Sequence, residues 1–248
     1  MEQWSDKVAL ITCASSGVGK CLAESMVNKG MKVICMANQI DKMKSLAEEL
    51  KSKSGKLLPL QCDLANQNDI ARVMDWIEKN LGAVDILINN AALSTDNNMI
   101  QNSNMEDWKK IMDTNLVGLA SITKEVLKLM KKQGINNGII VNINDALAQK
   151  LPNRPDRPLS PANIVSKAAQ SALTELLRME LAQQDSNIKV ISISPGLVET
   201  EQNTQWLKEN GRQALKPRDV ADCILLAIQT PNNVLIKEMI ITPLREML

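Results

Sequence analysis

The chain has 248 residues, with 44% hydrophobic and 23% charged side chains and a net charge of +1. That length and balance suit one α/β domain spanning residues 1–248, and give no electrostatic reason to invoke a nucleic acid or a membrane surface as partner. No apolar run approaches the roughly 20 residues needed to cross a bilayer, and the polar opening Met1–Lys7 does not read as a secretion signal, so a cytoplasmic protein is expected.

Five cysteines stand at 13, 21, 35, 62 and 223. The odd count and the lack of CxxC spacing predict free thiols and no metal site. The chain has no His, no Tyr and no Phe, but keeps 4 Trp and 13 Met. Without His there is no Ser-His-Asp triad and no imidazole base; without Tyr there is no phenolic acid. Three absent residue types in one domain also suggest an altered, restricted-alphabet version of a natural sequence. The methionines are expected to fill the core in place of aromatics.

In chain order, the apolar run Val8–Ile11 predicts a buried strand and 17–29 a helix. Lys32–Met36 is a second strand, followed by a charged helix over 40–53. Leu57–Leu60 is a third strand, with a helix over 67–80. Val84–Ile88 is a fourth, followed by one long helix over 106–132. Gly138–Ile143 is a fifth strand, with a helix over 162–184, and Ile188–Ile193 a sixth. Helices over 203–212 and 217–229 and a last strand near Met239–Ile241 complete the pattern. Apolar strands alternating with helices predict a parallel, doubly wound Rossmann-type sheet of about seven strands, covered on both faces. The proline-rich stretch 152–161 reads as a loop on the substrate side.

The first strand runs into Thr12-Cys13-Ala14-Ser15-Ser16-Gly17-Val18-Gly19 and then a helix. A turn of small residues at that junction lets backbone N–H groups approach a pyrophosphate, whose charge the helix dipole favours. This run resembles the Thr-Gly-x-x-x-Gly-x-Gly fingerprint of the short-chain dehydrogenase/reductase family, with Cys13 in place of the first glycine. A side chain there would strain the turn if its φ is positive.

Other runs support the resemblance along the whole chain. Asp63-Leu64 resembles the family segment that contacts adenine. Asn89-Asn90-Ala91-Ala92 resembles its Asn-Asn-Ala-Gly motif, beside the cofactor. Asn115 matches its catalytic helix asparagine, and Ser194-Pro195-Gly196-Leu197-Val198-Glu199-Thr200 its nicotinamide loop. Within the family, the opening Met-Glu-x-Trp and the Pro-Gly-x-Val-Glu-Thr-Glu run look most like the insect farnesol dehydrogenase or dehydrogenase/reductase-member-11-like group. The resemblance implies NADP, with NAD possible, as cofactor; an alcohol or carbonyl compound as substrate; and a homodimer or homotetramer paired through helices 106–132 and 162–184. At the end of the second strand, Asn38 and Gln39 supply neither the acid that would hold a ribose 2′-OH nor the base that would hold a 2′-phosphate.

The family's reaction uses Tyr-x-x-x-Lys on a helix and a Ser at the end of the fifth strand. Here Lys167 is kept, Asn163 stands at the Tyr position and Asp145 at the Ser position. A carboxamide donates a hydrogen bond but does not give up a proton near neutral pH, and an ionised carboxylate repels a developing alkoxide. Two readings of Asp145 follow: a neutral acid substituting for the phenol, or a close ion pair with Lys167 in an inactive site. The implied function is an oxidoreductase scaffold strongly impaired in turnover, against a non-catalytic nucleotide-binding or assembly protein.

Overall fold

A computed structural model describes residues 4–38, 40–95, 100–151, 159–201 and 203–246. Seven strands lie in one sheet: β1 (Val8–Thr12), β2 (Lys32–Ala37), β3 (Lys56–Gln61), β4 (Ile86–Asn89), β5 (Ile139–Ile143), β6 (Lys189–Pro195) and β7 (Glu238–Ile241). Their order is β3-β2-β1-β4-β5-β6-β7, and every pairing is parallel. The expected fold class is therefore the observed one. The order reverses between β1 and β4, and in such sheets the ligand crevice lies outside the carboxyl ends of the strands at that point.

Helices cover both faces. On one side α1 (Gly17–Asn28) and α8 (Pro217–Ile228) bury Leu22, Met26, Ile224 and Ile228 against β1, β4 and β5. On the other, α3 (Gln67–Leu81), α5 (Leu119–Lys132) and α6 (Pro161–Gln183) bury Ile70, Val73, Ile122, Val126 and Leu177. The strands read as apolar runs because both faces are covered: β1 and β5 are buried at every position. Met26, Met31, Met43 and Met130 are fully buried, the core-filling role expected of them. Among the described residues the other α-helices are α2 (Asp41–Glu49), α4 (Met105–Met112) and α7 (Thr204–Glu209).

Three helix boundaries differ from expectation. The charged helix after β2 ends at Glu49, because the chain must then turn so that the Gly55 N–H can reach the Val27 carbonyl at 2.9 Å. The single helix expected over 106–132 is α4 and α5 joined by a π-helical turn, Asp113–Gly118. A Cβ on Gly118 would lie 2.6 Å from the Leu64 carbonyl oxygen, so the turn packs directly on the loop after β3. The helix expected over 203–212 is only α7. Most of the proline-rich stretch, 152–158, lies outside the described residues.

Candidate functional site

The phosphate loop leaves β1 with Cys13 at φ 55° and Gly17 at φ 57°. Cys13 therefore lies in the left-handed region, where a side-chain-bearing residue carries strain. Neighbouring bonds impose the conformation. The Cys13 N–H donates to the Met36 carbonyl at 2.7 Å, and its own carbonyl accepts from Asn90 Nδ2 at 2.6 Å. Asn90 Nδ2 also donates to the Thr12 carbonyl, and the N–H groups of Asn90 and Ala91 both donate to Thr12 Oγ1 at 2.9 Å. The Asn89–Ala92 motif is thereby fastened to the phosphate loop across the β1–β4 switch.

Gly19 sits at closest approach. A Cβ there would lie 2.7 Å from Asn90 Nδ2 and from the Cys13 carbonyl oxygen, whereas a Cβ on Gly17 would meet nothing within 4 Å. The loop is packed tightly behind and open in front, as a backbone cradle for a phosphate must be. Ser16 caps α1 in extended conformation and Val18 lies in its first turn. Beside the loop, a cavity of about 210 Å³ is lined by Cys13, Ser15, Ala37, Asn38, Asp63, Leu64 and Ala91 among others. Asp63 turns its carboxylate back to accept from the Ala65 N–H at 2.9 Å. These residues fit a dinucleotide. Gln39 lies outside the described residues.

The reaction-centre positions also converge. Asn115, in the π-helical turn, is held by a two-way bond with the Leu93 backbone: the Leu93 N–H donates to Oδ1 at 2.7 Å, and Nδ2 donates to the Leu93 carbonyl at 2.9 Å. The same Nδ2 reaches Ser166 Oγ at 3.0 Å and Asn163 Oδ1 at 3.2 Å. One turn further along α6, Lys167 is buried. Its ammonium donates to the Ile143 carbonyl at 2.6 Å and to Gln170 Oε1 at 3.2 Å. Burial depresses its pKa to about 8, and the negative charge of Asp145 opposes that shift.

The close Asp145–Lys167 ion pair considered from sequence is not formed. Lys167 bonds to Ile143 and Gln170, while Asp145 Oδ1 accepts from the Leu147 N–H at 2.8 Å, capping the short turn Ala146–Ala148. The two charges act on each other through space. Below them a buried polar chain ties the sheet to its helices: Asn89 Nδ2 donates to Thr123 Oγ1 and to Asn142 Oδ1, and Asn142 Nδ2 donates to Thr174 Oγ1.

In the loop after β6, the Gly196 N–H donates to the Ile241 carbonyl at 2.7 Å. The next N–H, Leu197, donates to both carboxylate oxygens of Glu246 at 3.1 and 2.9 Å. Val198 pairs with Leu215, and the N–H of Thr200 donates to Asn203 Oδ1 at 2.8 Å. Pro195 ends β6. Sequence reading missed Gln170, Ser166 and Glu246. Gln170 and Ser166 could have been found from their spacing to Lys167 and Asn163 on α6 (i, i+3); no local pattern marks Glu246.

The chain matches the short chain dehydrogenase family over residues 7–211. It is 34% identical over 247 residues to a farnesol dehydrogenase of Aedes aegypti, covering 99% of both chains. It is 34% identical over 256 residues to human dehydrogenase/reductase SDR family member 11, covering 98% of this chain and 96% of that one. A metagenomic short-chain oxidoreductase solved in complex with NADP superposes with a TM-score of 0.81 at 22% identity, over 98% of this chain and 99% of the other.

Proposed function

This chain belongs to the short-chain dehydrogenase family, and we propose that it keeps the family's nucleotide site while its alcohol/carbonyl turnover is strongly impaired. The observation that carries this reading is the position of Asn163: it stands one helical turn before buried Lys167, with its amide oxygen accepting from Asn115. The general acid of the reaction belongs there, and a carboxamide does not supply a proton near neutral pH.

NADP is the proposed cofactor, with NAD the alternative; the fold-level likeness to an NADP complex supports it. Residues Thr12–Gly19 would hold the pyrophosphate, Asp63 and Leu64 the adenine side, and Asn90, Ala91 and the 195–200 loop the nicotinamide side. When bound, the nucleotide supplies the hydride. Lys167 would contribute positive charge to that site, and Asn115 keeps α6 in register with the turn at 113–118 through its bonds to Asn163 and Ser166. Asp145 places negative charge where an alkoxide would develop. General acid–base groups are typically worth about 10²–10⁴-fold, and the loss of the phenol is expected to fall in that range.

The substrate is proposed to be a small alcohol or carbonyl compound. Self-association through α5 and α6 is proposed as well: Val165, Leu176 and Met179 are exposed along α6, and Val117 just before α5. Among the described residues no helix is long and apolar enough to cross a membrane. Calorimetric titration with NADPH and NADH tests the reading. Saturable binding supports it; no binding of either by a folded sample removes every enzymatic interpretation.

A further inference from the structure

We infer that Gln170 is a positioning residue for Lys167: it holds the ammonium against the last carbonyl of β5 and leaves it one N–H to offer a nucleotide. The inference rests on the proposed nucleotide site and adds to it a residue that lies outside the motifs marking that site.

The need for such a residue starts at the end of β5. The Asn144 N–H donates to the Ile193 carbonyl of β6 at 2.7 Å, and successive residues of a strand between two neighbours direct their backbone groups to opposite sides. The Ile143 carbonyl therefore faces β4. There the pairing stops. Asn89 opposite Asn142 is the last matched pair, and the next two N–H groups, of Asn90 and Ala91, both donate to Thr12 Oγ1. A buried carbonyl left without a partner is costly. Helix α6 supplies two donors to it, Lys167 Nζ at 2.6 Å and Gln170 Nε2 at 3.2 Å.

Gln170 does more than satisfy that carbonyl. Its Oε1 accepts from Lys167 Nζ at 3.2 Å, so amide, ammonium and carbonyl close a triangle. Both Gln170 and Lys167 are buried. An apolar side chain of similar size would fill the same space with no polar groups to satisfy, so packing alone does not account for the amide. Lysine carries its charge on a flexible four-carbon stem, and the triangle selects one position for it. An ammonium has three N–H donors. Ile143 and Gln170 take two, and the third is left for a nucleotide.

The triangle also favours the charged form, because acceptors that bond to an ammonium stabilise it. Burial pulls the Lys167 pKa from 10.5 to about 8, and the negative charge of Asp145 opposes that fall. Its neighbours Asn163, Ser166 and Gln170 on α6 are uncharged, as is the whole of β5. A dinucleotide is an anion, so the ammonium attracts it only while protonated.

The test follows the lysine Cε signals of isotope-labelled protein by NMR as pH is raised, with the Lys167 signal assigned by its loss in Lys167→Met. Gln170→Met removes the acceptor and should lower the Lys167 midpoint by about one pH unit, a tenfold change in proton affinity. Gln170→Glu keeps an acceptor, adds a negative charge and should raise the midpoint above the parent's. Calorimetric affinities for NADPH and NADH should each fall as pH rises, and that fall should move with the midpoint in both variants. A merely structural glutamine would change the unfolding free energy in the two variants and move neither titration; that result would overturn the inference. If the parent binds neither nucleotide, the proposed nucleotide site fails, and the midpoints alone decide whether Gln170 positions Lys167.

Discussion

Asn115 and Asn163 meet amide to amide: Nδ2 of the first donates to Oδ1 of the second at 3.2 Å. The donor is itself fixed by Leu93 and Ser166. The position that would hold a proton donor is therefore occupied by a group acting as an acceptor. Asn163→Ala should leave whatever slow turnover the protein has unchanged within about twofold, because the amide contributes no proton. A large further loss, measured as NADPH oxidation with a panel of ketones and aldehydes, would show that Asn163 takes part in the chemistry.

Cys13→Gly should stabilise the protein. Its φ of 55° costs a side-chain-bearing residue roughly 1 kcal/mol that glycine does not incur. The bonds to Met36 and Asn90 are made by backbone atoms and survive the change. Urea unfolding should show a gain of about 1 kcal/mol, and nucleotide affinity should rise as the thiol leaves the cavity. A loss of stability would mean that the thiol's packing outweighs the strain.

Lys167 should make stability depend on pH in a definite direction. Its pKa falls from 10.5 to about 8 through burial, against the pull of Asp145. Below pH 8 it is charged in both the folded and unfolded states, and folding bears the full cost of burying that charge, on the order of 3 kcal/mol. From pH 8 to 10.5 the unfolded chain binds more protons, so stability rises with pH and the cost is relieved. The unfolding free energy of the parent minus that of Lys167→Met should climb across this window. A flat difference would contradict the depressed pKa. Asp145→Ser removes the opposing charge and should move the lower edge of the window below pH 8.

Gly196 and Glu246 form a second testable contact. A methyl at Gly196 would sit 1.9 Å from Glu246 Oε2, so Gly196→Ala should expel the carboxylate from the Leu197 N–H and weaken nucleotide binding. Adding Glu246→Ala to Gly196→Ala should cause little further loss, because the contact is already gone. Additive losses in the double variant would show that the two residues act independently.

The sheet was legible in the sequence because parallel strands covered on both faces must be apolar throughout, as in Val8–Thr12 and Ile139–Ile143. The early end of α2 was not, since its charged periodicity continues past Glu49 and only the packing of Gly55, where a Cβ would lie 2.3 Å from the Met31 carbonyl oxygen, forces the turn. The π-helical turn was hidden for a similar reason: its Gly118 packs against the loop of Leu64, which is distant in sequence. In the site, residues within contiguous motifs could be read directly, including Cys13, Asn90, Asn115 and Lys167. Glu246 could not, because its contact with Leu197 joins segments 49 residues apart.

The most direct test of the account is NADPH oxidation over a common panel of ketones and aldehydes by the parent chain and by the Asn163→Tyr/Asp145→Ser double variant. The account predicts bound nucleotide in both, and turnover at least about 10²-fold faster in the variant. A parent as active as the variant would show that Asn163 and Asp145 do not impair the chemistry, and would contradict the account.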